Sequence, residues 1–424
     1  MKKSLLAIAA MTAFAGAAQA QSSVTVYGIL DVGFVGSHYN GVAAGANTST
    51  TGAQAATGGP AVNGGSAGFG QSAESTSRIG FKGSEDLGGG LSGIFTIETA
   101  INPDGAVSAF AFNRQTFVGV KKNGLATAAI GTQYTTMFDV QSTTDAAGNN
   151  NLVGNAVYAT NLQSSTGTYN SGQGAFSSIT TTATTGAPIS INADSGAYVT
   201  RLSNVLKVSS DRFAGFATGV MYAQSNNSQS ATAYSGSNNN TAFGINADYI
   251  WNKLQVVAAF QNVKAQNGTK GVAQADATGM ILANGTAGNF GNNVNDNQTY
   301  AAATYDFGIV KTYAQYITRK ASSTADSNFQ TSRSAYQLGA RSQLTPTISV
   351  YATYGMGKSS YAQAGTAYAN FRTAQLGADY YLSKRTNLYV AYGSFNQSSP
   401  NSAAVPTISS LSGMNYATGI RHTF

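Results

Sequence analysis

The chain has 424 residues, of which only 9% are charged and 10% aromatic, with 49 glycines, 6 prolines and no cysteine. Without cysteine there are no disulfides, thiolate metal sites or sulfur nucleophiles, and the two histidines, His38 and His422, stand at opposite ends, leaving little for catalysis. A net charge of +7 with no basic run or stripe gives no footprint for nucleic acid.

Residues 1–20 combine Lys2 and Lys3, an apolar stretch and the small-residue end Ala18-Gln19-Ala20. This is the pattern of a cleaved secretory signal peptide, leaving 21–424 as the mature chain. Removing Lys2 and Lys3 lowers the basic count from 23 to 21 against 16 acids, a formal charge of +5. No later stretch approaches the ~20 apolar residues of a spanning helix. Poverty in charge with wealth in glycine and aromatics fits strands that face lipid on one side and water on the other.

Two-residue alternation recurs from there to the end. Phe243, Ile245, Ala247 and Tyr249 share a face; so do Leu254, Val256, Ala258 and Phe260, opposite Gln255 and Gln261. Ile348, Val350, Ala352 and Tyr354 repeat it, as do Leu376, Ala378, Tyr380 and Leu382, then Leu388, Val390 and Tyr392. Each run reads as a half-buried strand. Tight turns at Ser84–Gly90, Lys122–Gly124, Ser210–Arg212, Trp251–Lys253, Asp306–Gly308, Leu344–Thr347 and Ser383–Thr386 alternate with long polar segments. The latter are His38–Ala73, Thr136–Ala197, Asn226–Asn240, Gln266–Asn297, Ser322–Gln330, Ser359–Ala369 and Gln397–Ser412. The count is about sixteen strands, predicting an all-β transmembrane antiparallel barrel with short periplasmic and long outer connections.

Extending each alternation puts Lys207, Asp248, Lys311, Arg319, Arg341, Asp379 and Arg421 on the polar face. Lys264 and Arg372 fall on the outward parity near the loop ends of their strands, at a lipid rim or beside a bulge. His422 also falls outward, and Trp251, beside a turn, reads as an interfacial girdle residue. Glycine-rich 52–70 and 84–90 lack the phosphate-binding lysine pattern, and Glu85–Asp86 reads as a solvated turn.

Several blocks together resemble the general porins of Gram-negative outer membranes, especially the β-proteobacterial family. Ser23–Gly33 (SVTVYGILDVG) resembles the family's first strand, Ser77–Leu91 (SRIGFKGSEDLGGGL) its second strand and turn, and Phe112–Val120 (FNRQTFVGV) its fourth. Gly131–Asp139 (GTQYTTMFD) resembles the lead into the third loop, and the terminal GIRHTF the last strand, ending in a Phe favoured by the barrel-assembly machinery. The resemblance implies a sixteen-stranded barrel, usually a homotrimer in outer-membrane lipid and lipopolysaccharide, with its third loop folded into the lumen. By position it implies an eyelet with Arg78, Arg114 and Arg201 as the basic wall and Asp139 and Asp145 as loop acids. One further loop acid of close relatives is missing, with Asn149–Asn151 in its place.

Asp31, Lys82, Glu98 and Lys207 join these as candidate lumen charges. The expectation is a passive water-filled channel for ions and small hydrophilic solutes, mildly anion-preferring, assembled through Phe424 and needing no cofactor or metal. It is not an enzyme on this reading. The alternatives are a substrate-selective porin and a non-conducting adhesin or structural barrel.

Overall fold

The computed structural model describes residues 23–42, 61–103, 114–158, 162–164, 167–169, 191–194, 197–230, 235–267, 293–324, 330–363, 365–398 and 411–424. The expected signal peptide, 1–20, lies outside the described residues. Strands run in chain order as β1 (Ser23–Val42), β2 (Ala61–Gln71), β3 (Arg78–Gly88), β4 (Leu91–Ala100), β5 (Thr116–Lys122) and β6 (Ala126–Tyr134). After a short helix, α1 (Thr136–Gln141), come β7 (Leu162–Ser164), β8 (Gly167–Tyr169), β9 (Ile191–Asp194), β10 (Val199–Ser210), β11 (Phe216–Ser230), β12 (Ser235–Trp251) and β13 (Leu254–Asn267). The wall is completed by β14 (Asn293–Asp306), β15 (Lys311–Ser323), β16 (Gln330–Thr345), β17 (Ile348–Gln363), β18 (Gly365–Tyr381), β19 (Thr386–Gln397) and β20 (Leu411–Thr423).

Neighbouring strands pair antiparallel, and β1 pairs with β20 from Ile29↔Thr423 to Gly41↔Leu411, which closes the sheet. The terminal Phe424 completes the seam by exchanging two backbone hydrogen bonds of 3.1 Å with Gly28. On its other edge β1 pairs with β3 along Ser23–Ile29 and with β2 along Val32–Val42. β2 and β3 are therefore two parts of one stave, interrupted at residues 72–77. The short β9 pairs with β10 at Val199–Leu202, where Arg201 and Leu202 also pair with β6, so it lies on the edge of β10 away from β6. The result is a closed sixteen-stranded antiparallel barrel, with β7 and β8 forming a separate small hairpin.

The usual polarity of a folded chain is reversed across this wall. On β18, Thr373, Gln375 and Asp379 are buried, while Leu376 is 56% and Tyr380 48% exposed. On β19, Asn387 and Gln397 are buried and Val390 is 57% exposed. Hydrocarbon outside makes apolar exposure favourable, and a filled interior hides the polar alternates. Trp251, Phe213, Tyr305 and Phe307 cluster beside the short turns, and Tyr336, Tyr354, Tyr392 and Tyr416 lie outward higher up. They occupy the levels where amphipathic rings favour the membrane interface.

Turns fall where the sequence put them, and at the first of them Gly88, Gly89 and Gly90 all take positive φ, at 86°, 59° and 75°. The loops differ. β1 and β2 climb to Val42 and from Ala61, β11 and β12 reach Ser230 and Ser235, and β17 and β18 approach to Gln363 and Gly365. The sequence of these upper arms is rich in Asn, Ser, Gly and Gln, so apolar alternation carries no trace of them. Register at Lys264 and Arg372 is unbroken across β12–β14 and β17–β19, which removes the bulge and leaves both side chains outward near the loop ends. Val390, four residues along β19 and so ~13 Å from its turn, sits in the apolar band. Val390→Arg is expected to destabilise the barrel by ~2–4 kcal/mol in urea titrations of protein refolded into vesicles, with Val390→Leu close to neutral.

Candidate pore constriction

The segment after β6 turns into the barrel. Thr135 caps α1, its Oγ1 accepting from the Phe138 N–H at 3.3 Å and donating to the Val199 carbonyl at 2.9 Å. From there the loop is pinned to successive wall strands in turn. Asn246 on β12 donates to the Thr136 carbonyl (2.6 Å), Gln255 on β13 to Thr143 Oγ1 (3.2 Å), and Thr144 bonds Tyr300 on β14 (2.6 Å). Gln337 on β16 donates to Asp145 (3.2 Å) and accepts from the Ala156 N–H (2.7 Å). Gln375 on β18 donates to the Asn150 side chain and to the Leu152 and Val153 carbonyls at 2.9–3.1 Å. Asn415 on β20 accepts from the Val153 N–H at 3.3 Å. Finally Asn151 donates to the Ser72 carbonyl (2.7 Å) and Thr76 Oγ1 (3.1 Å), reaching the break in the β2/β3 stave.

Close approach needs missing side chains. Gly339 and Gly355 face Ala146 and Ala156, and Gly393 faces the Val153 carbonyl so closely that no Cβ fits. Gly154, at φ 107°, makes the turn against the Ala374 carbonyl. Met137, Val140, Val157, Tyr300, Phe371 and Phe395 form a dry cluster between loop and wall.

Three arginines gather on the other side. Arg114 Nε meets Glu98 Oε1 at 2.5 Å and its Nη2 donates to the Tyr134 hydroxyl at 2.7 Å. The Arg201 guanidinium lies over the Tyr134 ring, 5.3 Å from its centroid, and Arg78 Nη2 donates to Ser75 Oγ at 2.8 Å. Nε of Arg78 and of Arg201 has no hydrogen-bond partner. A bulge between Leu202 and Val205, with Asn204 at φ 55°, breaks alternation between Lys207 and Arg201. Tyr134 stacks on Phe138 of the loop at 4.1 Å, joining the basic side to α1.

The Gram-negative porin family model matches residues 7–400. The chain belongs to that family. An outer membrane porin protein of Bordetella pertussis is 27% identical over 440 residues, covering 100% of both chains. Outer membrane porin protein 32 of Delftia acidovorans is 41% identical over 124 residues, 29% of each chain. Among solved structures, the anion-selective porin from Comamonas acidovorans superposes with TM-score 0.63 at 22% identity, covering 95% of this chain and 100% of that one. OmpT of Vibrio cholerae in its trimer form gives 0.56 at 14%, covering 95% and 99%. This porin is thus a multi-pass barrel of the Gram-negative outer membrane, in a family of channels.

In the porin, Arg78, Arg114, Arg201 and Glu98 come together, and Lys82 lies 5.3 Å from the ring centroid of Tyr27, whose hydroxyl bonds Glu98 at 3.1 Å. Lys207 Nζ pairs with Asp139 Oδ2 at 3.0 Å, below the arginines on β10. Asp145 does not join them. It is buried against the opposite wall, accepting from the Asn149 N–H, Asn155, Gln315 and Gln337. Burial pushes its carboxyl above the usual range, and those donors draw it only part of the way back. Asp31 stands apart too, accepting from the Glu74 and Ser75 N–H groups and Tyr389 to hold the stave break. Tyr27 and Tyr134 were not singled out from the sequence, and glutamines such as Gln255 and Gln261 were placed on the polar face with no role in holding the loop. The glutamines recur on the polar face of strand after strand, which was the available signal. Gly393→Leu is expected to push the loop off its wall and lower single-channel conductance at unchanged folding yield; wild-type conductance would mean the loop does not rest there.

Proposed function

We propose that this porin is a passive, water-filled diffusion channel for ions and small hydrophilic solutes, mildly anion-preferring, working as a homotrimer and without catalysis. The observation that carries the sign of selectivity is the inequality of the two walls. Arg78, Arg114 and Arg201 share one close carboxylate, Glu98, while Asp139 is matched by Lys207 and Asp145 is enclosed by amides. Nε of Arg78 and of Arg201 is buried without a hydrogen-bond partner, so no carboxylate satisfies either guanidinium there. The anion selectivity named for the Comamonas acidovorans porin supports the same sign, and the trimer form of OmpT supports the assembly.

Magnitudes keep the bias modest. A charge ~8 Å from a permeating ion is worth about 0.5 kcal/mol at bulk dielectric and ~2 kcal/mol at an effective value of 20. At physiological salt the Debye length is also ~8 Å, so only the narrowest stretch feels the field. A preference of a few-fold to tens-fold follows, weakening as salt rises.

The reading is tested by reversal potentials across planar bilayers in a potassium chloride gradient. Wild type should favour chloride, and Arg78→Ala combined with Arg114→Ala should move the potential toward zero or past it. An unchanged potential would reject the basic-wall role, and absence of conductance steps would reject the channel. Steps arriving in triplets are expected from the trimer.

A further inference from the structure

Glu74 lies in the stave break at 72–77, outside both the basic wall and the lumen loop. Its Oε1 meets Arg421 Nη1 on β20 at 2.9 Å, and its Oε2 accepts from Asn387 Nδ2 on β19 at 3.0 Å. The same Nδ2 donates to Asp379 Oδ1 on β18 at 3.3 Å, so one amide spans two carboxyl groups. Those two carboxyls also lie within hydrogen-bond reach of each other. A pair of ionised carboxylates can only accept and repel, so a direct bond between them needs one to hold a proton.

The surrounding charges do not cancel. Arg341 on β16 donates from Nη2 to Asp379 Oδ2 and from Nε to Ser349 Oγ at 3.0 Å, and Arg421 Nε donates to Asn387 Oδ1 at 3.1 Å. Asp31 on β1 stands opposite Arg421 in register, bonded by the Tyr389 hydroxyl and by the Glu74 and Ser75 N–H groups. Tyr351 on β17 adds a second phenol facing Asp379 and Glu74. Three carboxylates against two guanidiniums leave one negative charge unmatched. Water hardly reaches it, since Asp31 and Asp379 are buried and the Glu74 side chain is 12% exposed. An uncompensated charge in such a place is costly, and taking up one proton removes it.

The break also touches the constriction from two sides. Ser75 Oγ accepts from Arg78 Nη2 at 2.8 Å, while the Ser72 carbonyl and Thr76 Oγ1 hold Asn151 of the lumen loop. We infer that Glu74 is a pH-responsive selectivity residue of the pore: bonded to Asp379, it takes a proton from the medium on acidification and removes a negative charge beside the basic wall. The sign of its effect rests on the anion-preferring reading above. Arg421 keeps its bond to Asn387 when Glu74 is neutral, so the break stays in place while the local charge changes by one.

The test is the chloride-over-potassium permeability ratio of the mature porin, taken from reversal potentials in planar bilayers from about pH 8 down to about pH 5. The wild-type ratio should rise about threefold, the size of effect expected from removing one charge ~8 Å from a permeating ion. Glu74→Gln, which keeps an acceptor for Arg421 without the charge, should hold the acid value throughout, with conductance steps of wild-type size showing an intact barrel. Asp379→Asn should raise the ratio at neutral pH and move the remaining change to lower pH, because Glu74 then faces Arg421 without its acidic neighbour. A rise of wild-type size in Glu74→Gln would place the titrating group elsewhere and overturn the assignment. A wild-type ratio above one but flat with pH would overturn it too, leaving the anion preference standing. A ratio below one that still rises in wild type and stays flat in Glu74→Gln would refute the anion-preferring reading and uphold the role of Glu74.

Discussion

Hydrocarbon offers no partner to a backbone N–H or C=O, so a sheet that enters it must have no open edge. Here that requirement is met at the β1–β20 seam, where thirteen residue pairs and the terminal Phe424 bring the last strand to the first. Everything else follows from that closure. Once the ribbon is a ring, each strand has one face in lipid and one in the lumen, and side chains sort by parity. Exposed Val118, Leu338 and Val390 are then no liability, because their solvent is the acyl chains.

The interior is unequal. The β12–β20 side is occupied by the loop after β6, held by amides and by a dry cluster that includes Val157, Tyr300 and Phe371. Glutamine serves that wall well, since one side chain both donates to and accepts from a loop backbone that has no strand partner, as Gln337 does. Filling one side concentrates the remaining charge on the other. Arg114 beside β5 and Arg201 on β10 share Tyr134, with Arg78 of β3 nearby, and the loop itself supplies Tyr134's stacking partner, Phe138. On the proposed reading, selectivity arises less from adding arginines than from removing carboxylates from their view.

Much of this was legible in the amino-acid order. Alternation such as Leu376, Ala378 and Tyr380 against Gln375 and Asp379 located strands and faces because lipid exposure penalises any break in it. Short turns declared themselves through Gly88–Gly90 and through charged or glycine-containing triplets. What stayed hidden had no such penalty. The strand ends at Ser230/Ser235 and Gln363/Gly365 carry no sustained apolar alternation in their sequence, so they look like loops. The destinations of Asp139 and Asp145 depend on contacts far along the chain, with Lys207 and with Gln315 and Gln337, which no local pattern encodes. The bulge at Asn204 likewise rests on a single residue with positive φ.

The lumen loop and its wall can be joined covalently, and the absence of native cysteine makes the reaction clean. A Cβ built on Gly339 would stand 2.8 Å from that of Ala146, near enough for a disulfide after slight relaxation. In the Ala146→Cys, Gly339→Cys variant, mild oxidation should give complete cross-linking with single-channel conductance unchanged between reduced and oxidised protein. Thiols that remain free, or a conductance that shifts on oxidation, would place the loop elsewhere and contradict the asymmetric lumen.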